Sequence, residues 1–146
     1  TLAWWARRGI ESMRTPAFAH DGPKAMLVNA YSSSGGDALP YFFRDHGLGP
    51  LIGTRTWGGL IGLSGNPELA DGGSLNVPTF RLYDDRGRWV VENEGVAPDI
   101  EVIDLPEARI AGGDPSLEKA VEVLLRELDG MPTAEPPVPV PPDMTE

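Results

Sequence analysis

Residues 24–57, KAMLVNAYSSSGGDALPYFFRDHGLGPLIGTRTW, constrain the fold more than any other stretch of the chain. Residues 24–31 are apolar almost without alternation, the pattern of a strand buried on both faces of a parallel sheet, which predicts that this strand lies at the centre of the fold. Leu39, Phe42, Phe43 and His46 then recur at helical spacing, and Gly47 suits the left-handed residue that ends a helix. Pro40 lacks an N–H and is expected in a first turn, so the helix should begin near Gly36 or Asp37. Residues 49–57 form a second apolar strand, and a strand, helix, strand unit lays its strands parallel, which predicts an α/β fold.

Between the first strand and the helix stand Ser32, Ser33, Ser34, Gly35 and Gly36. A turn here sits at a helix N-terminus, where free N–H groups and the helix dipole favour negative charge. A serine so placed has two readings. It is a simple N-cap, with Asp37 three residues on completing a box that more often carries Glu or Gln, or it is an exposed nucleophile whose neighbouring N–H helps hold an oxyanion. Caps are the commoner use, and the sequence is not the GxSxG elbow.

The rest of the chain is read around this unit. Residues 2–8 suggest a strand stopped by Gly9, residues 15–23 a loop, and residues 58–73 a glycine-rich loop or short edge structure. Residues 74–93 read as a hairpin turned at DDRG, with Pro78 marking its first arm as an edge strand. Residues 96–106, VAPDIEVIDLP, are extended and turn-bounded. Asp114 as N-cap and Pro115 as first helical residue announce a helix with Leu117, Val121, Leu124 and Leu128 on one stripe, closed by Gly130. The boundary of the folded domain is drawn at residues 1–130, leaving 131–146 as a tail with six prolines that favours an extended polyproline form.

Composition narrows the function. At 146 residues the chain supports one core. Twenty-two acidic against twelve basic residues give a net charge of −10, which disfavours a nucleic-acid partner. With no cysteine there is neither a thiolate nucleophile nor a thiolate metal site, and two histidines do not make a histidine-rich one. No stretch approaches the roughly 18 apolar residues of a membrane span. A first residue of Thr rather than Met suggests a piece of something longer.

Residues 29–59, NAYSSSGGDALPYFFRDHGLGPLIGTRTWGG, closely resemble the nucleophile region of the tricorn proteases and the related tail-specific, or C-terminal-processing, serine peptidases. DGGSLNVPTFRLYDDRGRWVVENEGVAPDIEV, GGDPSLEKAVEVLL and the proline-rich ending resemble the same family, so the likeness runs from about Lys24 through the tail. It implies a crotonase-like β-α spiral domain, with the hairpin and C-terminal helix as its later parts. It also implies Ser34 as nucleophile, the Gly35 N–H as oxyanion donor and Glu92 as the acid of a Ser-His-Ser-Glu tetrad, with Glu94 the weaker choice and Ser32 or Ser33 standing in if the register slips. The family usually has Asp where this chain has Gly35, a change that leaves a main-chain donor intact but loosens the turn.

The family's histidine and second serine come from a segment upstream of the nucleophile that this chain does not carry, and neither His20 nor His46 is expected to replace it. Gly62 and Leu63 fall in a stretch that resembles the family's substrate-flanking strand, an edge on which an extended peptide could pair. Trp57 and the pairs Trp4–Trp5 and Phe42–Phe43 read as packing residues. The resemblance implies cytoplasmic processing of oligopeptides by a ring of subunits, without metal or organic cofactor. The rival reading is a binding module: interphotoreceptor retinoid-binding proteins resemble the fold and carry ligands without peptidase chemistry.

Overall fold

The computed structural model describes residues 1–7, 9–131 and 136–143. Its elements are β1 (Ala3–Arg7), β2 (Ile10–Thr15), β3 (Met26–Val28), α1 (Gly35–Asp45), β4 (Leu51–Gly53), β5 (Ile61–Gly62), β6 (Phe80–Arg81), β7 (Ile100–Glu101), α2 (Pro106–Ile110) and α3 (Pro115–Leu128). The strand, helix, strand unit is present: β3 and β4 pair in parallel, Met26 opposite Leu51 and Val28 opposite Gly53, and α1 makes the crossover. β7 adds in parallel to the far side of β4 through Ile52 and Ile100, so the sheet order is β3-β4-β7.

This order corrects the expected centre of the fold. β4, flanked on both sides, is the strand with every residue buried, Leu51 and Ile52 having no accessible surface. β3 lies at the edge of the sheet among the described residues, so Val28 is buried while Leu27 is 45% exposed. Val28, Leu51, Val91 and Val96 form the core, with Tyr41 and Phe43 of α1 packed against it. Phe42 and Trp5, expected to pack, are exposed. Pro40 sits in the second turn of α1 rather than the first, its ring buried.

Two further expectations change, and one strand is present that the sequence did not show. Gly9 stops the N-terminal strand as expected: β1 ends at Arg7, Gly9 at φ 74° turns the chain, and β1 pairs antiparallel with β2, which covers residues that showed no strand pattern. The hairpin expected over 74–93 is reduced to a Tyr83–Trp89 bridge around the turn, because β6 takes β5 as its partner, with Ile61 opposite Arg81 and Gly62 opposite Phe80. In α3 the buried residues are Ser116 and Ala120; Leu117, Val121 and Leu128 of the expected stripe are exposed and Leu124 is half-buried. The helix ends themselves follow the sequence, Asp114 accepting the Leu117 N–H at 3.2 Å with Pro115 first in the helix. Of the proline-rich tail, residues 136–143 form no helix or strand, and the remainder beyond Met131 lies outside the described residues.

Asp84 ties the DDRG turn to α1. Its carboxylate accepts the N–H groups of Arg86 and Arg88 at 3.0 and 2.8 Å, the Arg88 guanidinium and the Tyr41 hydroxyl. The Arg88 backbone N–H first, then its guanidinium and the tyrosine hydroxyl, hold the Asp84 carboxyl down to about 2 against the burial that opposes ionisation. A carboxyl whose folded value lies below its unfolded one stabilises the fold above the unfolded value and loses that contribution as pH falls through the folded one. Acid unfolding of the chain should therefore steepen between about pH 4 and about pH 2, and Asp84→Asn should remove that component. Circular dichroism over a pH series of both proteins is the check.

Candidate active site

Val28 ends β3 and the chain turns through Asn29 to Ser34 before α1 opens. The Asn29 side chain accepts the Tyr31 N–H at 2.9 Å, and Ser32 Oγ accepts the Asn29 N–H at 3.3 Å, so Ser32 is used within the turn. Ser33 gives its carbonyl to the Gly36 N–H at 2.8 Å. Ser34 alone of the three has a left-handed backbone, φ 55° and ψ −111°, and it is exposed at the apex between strand and helix. A non-glycine residue held there carries strain of about 1–3 kcal/mol, which a cap has no need of and a nucleophile on a sharp strand-to-helix turn commonly has. Ser34→Gly should thus raise the unfolding free energy by about 1 kcal/mol, read by urea denaturation, while removing the hydroxyl.

Gly35, the first residue of α1, is exposed beside it, one of the four helix-opening positions whose N–H has no intrahelical acceptor. Asp37 is the residue that sequence reasoning missed. Residue spacing makes it only the third member of a capping box, yet it is fully buried and accepts three backbone N–H groups: Ser34 at 2.9 Å, Gly58 at 2.8 Å and Gly59 at 3.1 Å. Two of those donors lie 21 and 22 residues away along the chain, which is why spacing did not reveal them.

Glu92 sits in a turn of unusual backbone. Val91, Asn93 and Gly95 all have left-handed φ, of 71°, 64° and 64°, and Val91 is buried in the core. A β-branched residue at positive φ is a genuine outlier, and such outliers gather at functional sites. Glu92 Oε2 accepts the Leu60 N–H at 2.6 Å, and the Asn93 N–H bonds the Gly58 carbonyl at 2.8 Å. Gly58 itself, at φ 85°, lies so close to the turn that a Cβ would stand 2.6 Å from the Gly95 nitrogen. Gly58→Ala should therefore cost at least about 1–3 kcal/mol of stability from backbone strain alone, measurable in the same denaturation experiment.

The two turns open on one cleft of about 530 Å³ lined by Ser34, Trp57, Gly58, Gly59, Ile61, Leu63, Glu92 and Asn93. Ser34, Glu92 and Leu63 are thus brought together. Trp57, expected in the core, is 68% exposed and forms a wall of the cleft. Gly62 is buried under the Phe80 ring, and its carbonyl accepts the Thr79 N–H at 2.8 Å. Glu94 turns to the other side, lining a separate cavity with Arg44 and Arg88. His20 reaches the Pro23 carbonyl at 3.3 Å and His46 caps the C-terminus of α1; neither lines the cleft.

A serine raised on a strained strand-to-helix turn thus shares a cleft with a glutamate in an α/β domain. The chain belongs to Peptidase family S41, whose model matches residues 6–102. It is 36% identical over 136 residues to Tricorn protease homolog 1 of Streptomyces coelicolor, covering 93% of this chain and 13% of that protein. With the tricorn protease of Thermoplasma volcanium it shares 40% identity over 114 residues, 78% of this chain and 11% of the relative. The crystal structure of the tricorn protease superposes with a TM-score of 0.79 at 34% identity, covering 88% of this chain and 13% of that one. The chain therefore spans between a tenth and a seventh of the length of these relatives. Among the described residues no helix is long and apolar enough to cross a membrane.

Proposed function

We propose that this chain is the nucleophile-bearing portion of a tricorn-like serine endopeptidase with a crotonase-like β-α spiral core, acting on oligopeptides in the cytoplasm as part of a ring of subunits. The observation that carries the reading is the strained, exposed Ser34 sharing a cleft with Glu92. In the complete enzyme Ser34 Oγ attacks the scissile carbonyl and passes its proton to a histidine supplied by an upstream segment. The Gly35 N–H helps hold the oxyanion of the tetrahedral intermediate. Collapse expels the amine with that proton and leaves an acyl-enzyme on Ser34, which water hydrolyses in the reverse sense.

Glu92 orients and balances the histidine through a second upstream serine, and its bond to Leu60 keeps the carboxylate at the cleft. The peptide lies in extended form along the cleft beside Leu63, with Trp57 and Ile61 offering apolar contact. A serine without an adjacent base is a weak nucleophile, so the 146-residue chain alone should turn over slowly or not at all. The rival reading, a ligand-binding module of the same fold, draws on Gly35 and on a cleft that no described histidine lines.

An activated ester presented to the full-length protein decides between them. An acyl-enzyme predicts a burst of about one product per active site before steady turnover, lost in Ser34→Ala. Saturable binding of peptide without a burst supports the module instead.

A further inference from the structure

Asp37 makes more hydrogen bonds than a helix cap requires. A capping box needs its third residue to accept only the N-cap N–H, here Ser34. The same buried carboxylate also takes the N–H groups of Gly58 and Gly59, and the Gly59 carbonyl in turn accepts the Ser34 N–H at 3.0 Å. Trp57 donates to the Ser32 carbonyl at 2.9 Å on the same side. On its other side this segment is held by the second turn, with Leu60 N–H on Glu92 and Asn93 N–H on the Gly58 carbonyl. Residues 57–60 are thus stitched between the serine turn and the Glu92 turn, with Asp37 collecting the donors on the serine side.

We propose that Asp37 is a positioning residue of the site. By holding the Ser34, Gly58 and Gly59 N–H groups on one buried carboxylate, it aims Ser34 into the cleft and fixes the serine turn against the turn that carries Glu92. The inference rests on the functional reading of Ser34 given above. Chemistry requires an acid here. Three N–H donors need both carboxylate oxygens, one receiving Gly58 and the other Ser34 and Gly59, whereas an amide of the same shape turns an NH₂ toward one of these groups and leaves it unmatched. The strain at Ser34 persists only while its surroundings over-determine it, and Asp37 supplies two of those constraints, on Ser34 and on its partner Gly59.

The test is Asp37→Asn with three readouts. In the full-length protein the rate of Ser34 labelling by a fluorophosphonate and kcat should each fall by about 10²-fold, as expected of a reacting atom displaced by about 1 Å, with KM changed by less than about threefold. In the 146-residue chain the amide resonances of Ser34, Gly58 and Gly59 should move and lose exchange protection while those of α3 hold. Wild-type labelling and kcat in the variant overturn the proposal, as does a loss of rate and binding together in proportion to unfolded protein.

If Asp37→Asn does not fold, Asp37→Glu replaces it, keeping the charge but shifting the oxygens by a methylene. Slowed labelling in the folded Glu variant supports positioning, and wild-type labelling overturns it. A wild-type protein that is never labelled at Ser34 removes the functional reading and the catalytic half of this proposal with it. The amide readout then still decides whether Asp37 joins the two turns.

Discussion

Replacing Ser34 by Ala in the full-length protein is expected to lower kcat for peptide hydrolysis by about 10⁶-fold, the loss seen when the nucleophile of an acyl-transfer site is removed, with KM little changed. The backbone reasons for the serine turn do not depend on the hydroxyl: the Ser34 N–H bonds Asp37 and Gly59, and the left-handed φ is as costly for Ala as for Ser. The variant should therefore fold like the parent and bind peptide like it. Steady-state kinetics beside a urea unfolding curve separates the chemical effect from a structural one. A variant that keeps a tenth or more of the activity would move the nucleophile to Ser33 or Ser32 or dismiss the covalent mechanism.

Glu92→Gln is expected to reduce kcat by about 10³–10⁴-fold, as when the acid that orients a catalytic histidine is neutralised in place. The amide oxygen of Gln can still accept the Leu60 N–H, so residues 57–60 should remain attached and KM should hold. Glu94→Gln serves as the comparison. Glu94 faces the cavity with Arg44 and Arg88 rather than the cleft, and its substitution should leave kcat within about threefold, surface changes away from a site being nearly neutral. Equal effects at both positions would take Glu92 out of the mechanism.

What the sequence made legible was the unit whose two periodicities meet at the serines. An unalternating apolar run, a helical stripe and a second apolar run specify β3, α1 and β4 whatever surrounds them. The same run misled about the centre of the fold, because residues 24–31 show that a strand is apolar without showing how many neighbours it has; β4 gained one on each side and β3 did not. For the two-residue strands β5, β6 and β7 an extended or edge character is readable in the sequence, but their partners are not. Their pairing is fixed by where the core brings them, and Phe80 lies over Gly62 through a contact no local pattern encodes.

In the site, Ser34 and Glu92 were reached through motif resemblance, and their backbone strain was invisible to residue spacing. Asp37 shows the limit most clearly. From the sequence it was one residue of a cap, and its role emerged only when a glycine segment some twenty positions later delivered two N–H groups to the same carboxylate. Trp57 errs in the opposite sense: a large aromatic between apolar residues reads as core, and here it walls the cleft.

The central claim, that Ser34 is an activated nucleophile in the complete protein, is tested most directly by locating a fluorophosphonate adduct by peptide mass mapping. The full-length protein, the 146-residue chain and their Ser34→Ala forms are compared. The account predicts an adduct on Ser34 in the full-length protein, little or none in the chain alone, and none in either variant. A folded full-length protein that takes no adduct, or one modified at a residue other than Ser34, would contradict it.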